Sequence, residues 1–204
     1  REHMQDIFDL QRKLNVYTLQ NIGLDYERVI VDPEAVPVWV ENYRKALSAE
    51  LAELIREIQE LGVGTKNGKI EVVDMLHFLV SLSHIVQVEA DEALTLAATR
   101  NGASVQACAV RSFLALDDLQ NSVKWKWWAK GGGYKEEKAK EAVLELWRCF
   151  GEACGLQSMS FETVKEIYIA KNRVNFERQD RHYNEDTKTE HDNRALKIPT
   201  GKLG

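Results

Sequence analysis

Glu50 and Glu53 stand three residues apart, and so do Glu71 and Asp74. On a helix that spacing projects both carboxylates of a pair from one face, about one turn apart. The second pair lies within residues 70–83, a run apolar on nearly every side and therefore expected to be buried. A buried ionised acid takes up a proton, pairs with a cation or binds a metal. No Lys or Arg occurs between Ile70 and Thr99. Four carboxylates on two antiparallel helices, with the basic residues elsewhere, describe an all-oxygen site suited to Mg²⁺ or Mn²⁺. Removing one charge from such a cluster weakens the metal site and relieves repulsion, so Glu50→Gln or Asp74→Asn should barely lower, or even raise, metal-free stability. Blander readings stand beside this one: Gly68 as a helix N-cap with Glu71 as a favourable early acid, and Glu50 with Glu53 as a solvated face. Neither accounts for Asp74, which lies deeper in the apolar run.

The elements that must carry these acids are helical. Apolar positions recur at Ile7, Leu10, Leu14 and Tyr17, which predicts a helix over residues 4–20. Gln11 and Asn15 sit four apart beside that stripe, either as solvated surface amides or as a pair able to read the edge of one base. Residues 21–37 hold Gly23, Pro33 and Pro37 and read as a connection, after which helical periodicity resumes over 38–61. The short loop 62–68 returns the next helix antiparallel. Bringing the two acid pairs level then requires the first helix to end early or the second to begin before Gly68. A further short helix is expected over 90–101 and another over 104–123.

Sliding the chain by 71 positions places Asp74 on Glu145 and Arg100-Asn101 on Lys171-Asn172 without a gap, which we read as duplication of a helix pair, with units near 38–102 and 104–180. On the same offset Glu50, Glu53 and Glu71 meet Asn121, Lys124 and Ala142, so the second copy lacks the acids. The expected fold is a single all-α domain, a helical bundle over 1–204 with a polar, flexible tail at 184–204.

Composition narrows the function. A net charge of −5 argues against a nucleic-acid-binding surface. Three cysteines at no metal-ligand spacing fit reduced core thiols, and no stretch reaches transmembrane length, so a cytoplasmic protein away from the membrane is expected. Against the acidic background, Lys171, Asn175 and Arg178 fall on one helical face. That face is either solvated or built for a polyphosphate, which Arg can grip bidentately. Trp125, Trp127 and Trp128 form an aromatic run ahead of three glycines, more in keeping with core or interface than with base stacking.

Taken together, the motifs resemble the all-α nucleotide pyrophosphohydrolases, and within them the dimeric dUTPases and the phage dCTPase/dUTPases. Gln11-x-x-x-Asn15 is similar to the family's base-reading motif, and Glu50-x-x-Glu53 with Glu71-x-x-Asp74-x-x-His77-Phe78 to its Mg²⁺-binding pairs. Lys171, Asn175, Arg178 and Tyr183 are similar to its phosphate-binding helix, and Asp192-Asn193 to the end of its C-terminal motif. The resemblance implies hydrolysis of a deoxynucleoside triphosphate, dUTP foremost, to the monophosphate and pyrophosphate. It also implies Glu53 as the residue orienting the attacking water and a homodimer, which the aromatic run favours independently. The family's Trp-Lys-x-Trp motif lies between its acid pairs, whereas here the similar run follows both. Other expectations compatible with these residues are the same chemistry on another deoxynucleoside triphosphate, as in dCTPases or the MazG-like house-cleaning enzymes, and a helical interaction protein without turnover.

Overall fold

The structure, a computed structural model, describes residues 2–181. Tyr183, Asp192 and Asn193, and with them the expected tail at 184–204, lie outside the described residues. The elements run α1 (Glu2–Asn21), α2 (Tyr26–Val29), α3 (Ala35–Leu61), α4 (Lys66–Val86), α5 (Ala90–Ala97), α6 (Val105–Gln120), α7 (Glu136–Leu156) and α8 (Phe161–Asp180). Among the described residues there is no strand, so the all-α expectation holds. No helix among them is long and apolar enough to cross a membrane.

The organising element is α4. Ile70, Val72, Val73, Leu76, Leu79, Val80 and Leu82 are all buried, and they leave this helix almost no solvent face. It is covered by α3, α7, α1 and α8 on its several sides. Hydroxyls inside this apolar shell are satisfied locally or by a neighbour: Ser83 Oγ donates to the Leu79 carbonyl and accepts from the Trp147 indole nitrogen at 2.8 Å. Trp147 in turn stacks on Phe8, tying α7 to α1 across α4.

Several boundaries differ from the sequence reading: α5 stops at Ala97 rather than at 101 and α6 at Gln120 rather than at 123, and two differences bear on the site. Residues 21–37 are not a bare connection. Asp25 caps the short α2, and α3 begins at Ala35 with Pro37 in its first turn, where a missing N–H costs no intrahelical bond. Gly68 is not an N-cap. Thr65 is, its hydroxyl accepting from the Gly68 amide at 2.9 Å, as a hydroxyl residue outcompetes glycine for that role. Of the two ways to level the acid pairs, the chain therefore uses the second: α4 starts before Gly68 while α3 continues to Leu61. The reversal between them is tight because Gly62 and Gly64 adopt positive φ.

This reversal is held from two directions. Glu57 accepts from the Thr65 hydroxyl at 2.7 Å and from the Asn67 amide at 3.0 Å. At the end of α7, the buried Gln157 accepts from the Gly64 amide while its Nε2 lies against Gly68, close enough that a Cβ there would meet it at 2.6 Å. A second close approach occurs where α5 crosses α7: a Cβ on Gly151 would run into the Ala97 carbonyl oxygen.

Helices α6, α7 and α8 start 70, 70 and 71 residues after α3, α4 and α5. The proposed duplication predicts that order.

Candidate functional site

Helices α1, α3, α4 and α8 enclose a cavity of about 310 Å³, in the size range of small-ligand sites. Gln11, Asn15, Glu50, Glu53, Asp74, Lys171, Asn175 and Arg178, eight of the candidates read from sequence, line it. Glu71 lies directly behind that lining, its carboxylate within 4.8 Å of those of Glu50 and Glu53.

The three glutamates form a compact cluster because α3 and α4 run antiparallel with the Thr65 cap setting their register. Neither Glu50 Oε2 nor Glu71 Oε2 meets a hydrogen-bond partner. Glu71 Oε1 has one distant donor, the Asn67 amide at 3.5 Å. Burial, with the Asp74 charge beside it, pushes Glu50 up to about 8, and the same two causes push Glu71 up to about 11. Without a cation these acids therefore retain protons at neutral pH. A divalent cation would replace those protons and take up the orphaned oxygens, and an all-oxygen donor set selects a hard ion.

Asp74 departs from the sequence reading. It was expected to be a fourth equivalent acid in a segment free of positive charge, but its Oδ1 lies 3.2 Å from Lys171 Nζ, and both side chains are largely buried. The absence of Lys and Arg from residues 70–99 said nothing about α8, which lays Lys171 across α4. Lys171 thus serves as the cation partner that a buried carboxylate requires, and Asp74 joins the acid cluster through its charge more than through shared contact.

On the opposite wall, Gln11 and Asn15 are 4% and 5% exposed, which removes the solvated-amide alternative. Gln11 Nε2 donates to Asn15 Oδ1 at 2.9 Å, and Asn15 Nδ2 donates to Ser81 Oγ at 3.0 Å. The Tyr168 hydroxyl donates to Gln11 Oε1 at 2.8 Å. Asn175 and Arg178 are half-buried on α8 beside Lys171, with the Arg178 Nη1 to Asn175 Oδ1 distance at 3.5 Å.

Several residues that build the cavity were given no role of their own in the sequence reading. Trp39, Tyr43 and Phe78 line it, with ring centroids 5.6 Å apart for the first two and 6.5 Å for the latter two. In one dimension such aromatics are indistinguishable from core positions of an amphipathic helix. His77 is buried against Tyr168 in a stacked pair at 4.5 Å, and its Nδ1 donates to the Val73 carbonyl. Burial lowers its pKa to about 3, so the ring is neutral and Nε2, which has no protein partner, is a bare acceptor. Trp127 and Trp128 do not join this cavity; they are exposed in the segment between α6 and α7.

No individual curated protein matches the chain. The dUTPase family profile, however, matches residues 3–183, which takes in every element of the cavity wall. An acid cluster, an amide pair and a basic helix face thus meet at one cavity within a chain that belongs to the dUTPase family, a family of nucleoside triphosphate pyrophosphohydrolases.

Proposed function

We propose that the protein hydrolyses dUTP to dUMP and pyrophosphate with Mg²⁺, Mn²⁺ being the nearest substitute. The observation that carries this reading is the convergence on one cavity of three chemically distinct walls, one for each part of a nucleoside triphosphate. Glu50, Glu53 and Glu71, with Asp74 beside them, would hold the metal. When bound, the metal supplies charge neutralisation on the phosphates and polarises a water molecule. Glu53, the most accessible of the clustered glutamates, orients that water toward the phosphorus and draws its proton. Water adds to phosphorus as the bond to the bridging oxygen breaks, and the pyrophosphate leaves with that electron pair.

Lys171, Asn175 and Arg178 grip the departing phosphates, Arg178 by its planar fork and Lys171 as a point charge. Lys171 reaches both Asp74 and the cavity, so it can pass from the carboxylate to a phosphate when substrate arrives. Gln11 and Asn15 present amide edges to the base, and the aromatic rings of Trp39, Tyr43 and Phe78 supply an apolar seat.

A homodimer is part of this proposal. Its support is apolar surface that a lone chain leaves uncovered: on α6, Val110, Phe113 and Leu114 are exposed, Phe113 at 68%. Pyrophosphate release from dUTP, dCTP, dTTP and the purine deoxynucleotides, with Mg²⁺ and with excess EDTA, tests the function. Fastest release from dUTP that stops in EDTA is expected. Full activity in EDTA, or faster hydrolysis of purine nucleotides, would refute it.

A further inference from the structure

An amide side chain can donate and accept from either end, so Gln11 and Asn15 alone match uracil in one orientation and cytosine in the other. Uracil offers an acceptor at O4 beside a donor at N3, and cytosine offers the reverse. Which base is read depends on whether something fixes the amide flips.

The hydrogen-bond chain fixes them from one end. The His77 carbonyl can only accept, and Ser81 Oγ lies 2.8 Å from it, so the Ser81 hydroxyl proton is committed there. Ser81 Oγ must then accept from Asn15, and only the Nδ2 end of Asn15 can donate. That turns Asn15 Oδ1 toward Gln11, which is forced to present Nε2 to it. Gln11 Oε1 is left facing the Tyr168 hydroxyl, which donates into it. Burial raises the Tyr168 phenol far above its ordinary pKa, so it remains a donor, and the Asn172 amide at 3.5 Å supplies its oxygen with a donor in turn. Every member is buried and the chain crosses α4, α1 and α8.

We propose that Ser81 and Tyr168 are positioning residues that set pyrimidine selectivity by locking the amide orientations of Gln11 and Asn15. The inference rests on the proposed pyrimidine-nucleotide reading of the cavity. Each amide spends one N–H and one lone pair on the chain, leaving one of each at a defined end. A base seated among the cavity rings meets a fixed donor and acceptor order, and the pyrimidine of opposite order leaves buried groups unpaired. Neither Ser81 nor Tyr168 has to touch the base.

The test is kcat/KM for dUTP, dCTP and an abasic deoxyribose triphosphate, measured with Mg²⁺ on the wild type, Ser81→Ala and Tyr168→Phe. Melting curves are taken alongside. The wild type is expected to separate the two pyrimidines. In either variant that ratio should shrink about tenfold toward one, mainly through KM for the preferred base, while the abasic substrate changes least. A variant damaged only in packing would lose all three substrates in proportion and keep its ratio, and that result overturns the inference, as does a wild type that does not discriminate. Two substitutions at opposite ends of the chain guard against one failing to fold. A wild type that hydrolyses neither pyrimidine nucleotide instead refutes the function itself. A wild type that prefers dCTP but loses preference in both variants refutes dUTP as substrate and upholds the lock.

Discussion

Glu50→Gln and Asp74→Asn each remove one acid from the same site, yet the structure gives them opposite effects on the metal-free protein. Glu50 holds a proton in the native state up to about 8 against 4.5 for the ordinary side chain. Between those values the folded state binds more protons than the unfolded state, so stability falls as pH rises through the window. At pH 7 the ceiling on that loss is roughly 3 kcal/mol, at about 1.4 kcal/mol per pH unit, and water reaching the cavity reduces it to about 1–2 kcal/mol. Glutamine mimics the protonated form and never incurs the loss. Glu50→Gln should therefore raise the melting temperature at pH 7 by about 2–6 °C and by almost nothing at pH 5, where the window has barely opened.

Asp74→Asn relieves the same repulsion but takes from Lys171, whose side chain is 4% exposed, the carboxylate that lies 3.2 Å away. Breaking a buried pair costs about 3–5 kcal/mol, so a net loss of roughly 1–3 kcal/mol remains after the relief. Melting curves in EDTA at pH 5, 6, 7 and 8 read both effects directly. A Glu50→Gln variant that melts lower than wild type at pH 7, or that gains as much at pH 5, would refute the account of the cluster. From sequence both substitutions are expected barely to lower metal-free stability or even to raise it; the structure argues for a rise at Glu50 and for a loss at Asp74.

Adding Mg²⁺ should raise the melting temperature of wild type more than that of Glu50→Gln, read by the same curves, because only the former offers the full set of carboxylates. Glu53→Gln should lower kcat at least a hundredfold, about 2.7 kcal/mol in the barrier, in a pyrophosphate-release assay with saturating Mg²⁺. Gly151→Ala, which drives a Cβ into the Ala97 carbonyl, should destabilise by about 1–3 kcal/mol in urea unfolding, whereas Gly68→Ala meets the movable Gln157 side chain and should cost less. Phe113→Glu should convert a light-scattering mass of twice 23.3 kDa to that of one chain.

What could be read in sequence was whatever repeats along one chain direction. The periodicity of α4 and the three-residue spacing of the acids depend only on local geometry, and both survive in the structure. The partner of Asp74 depends on how α8 crosses α4, 97 positions away in the chain, and no local pattern encodes that. The amides of α1 posed the same difficulty: their spacing was visible, but their burial required Ser81 from α4 and Tyr168 from α8. The aromatic wall was hidden for a different reason, since Tyr43 in a cavity and Leu47 in the core occupy the same helical stripe.

The proposed duplication offers a way to relate these non-local contacts to the chain itself. On the 71-residue offset, Asp74 corresponds to Glu145 and Arg100 to Lys171. The acid of the first unit pairs with the base of the second, Asp74 with Lys171 at 3.2 Å, and the acid of the second pairs with the base of the first, Glu145 with Arg100 at 2.6 Å. Exchanging the two units turns one pair into the other, the relation expected if two copies of an ancestral unit packed about a twofold axis with α4 against α7. We propose that the crossed pairs descend from one contact. In the second copy Glu145 is secured further by Arg148 and stays structural. In the first, Glu50 and Glu71 beside the pair hold protons that a divalent cation would displace, which gives this ion pair, unlike its counterpart, reason to open for a cation and a phosphate.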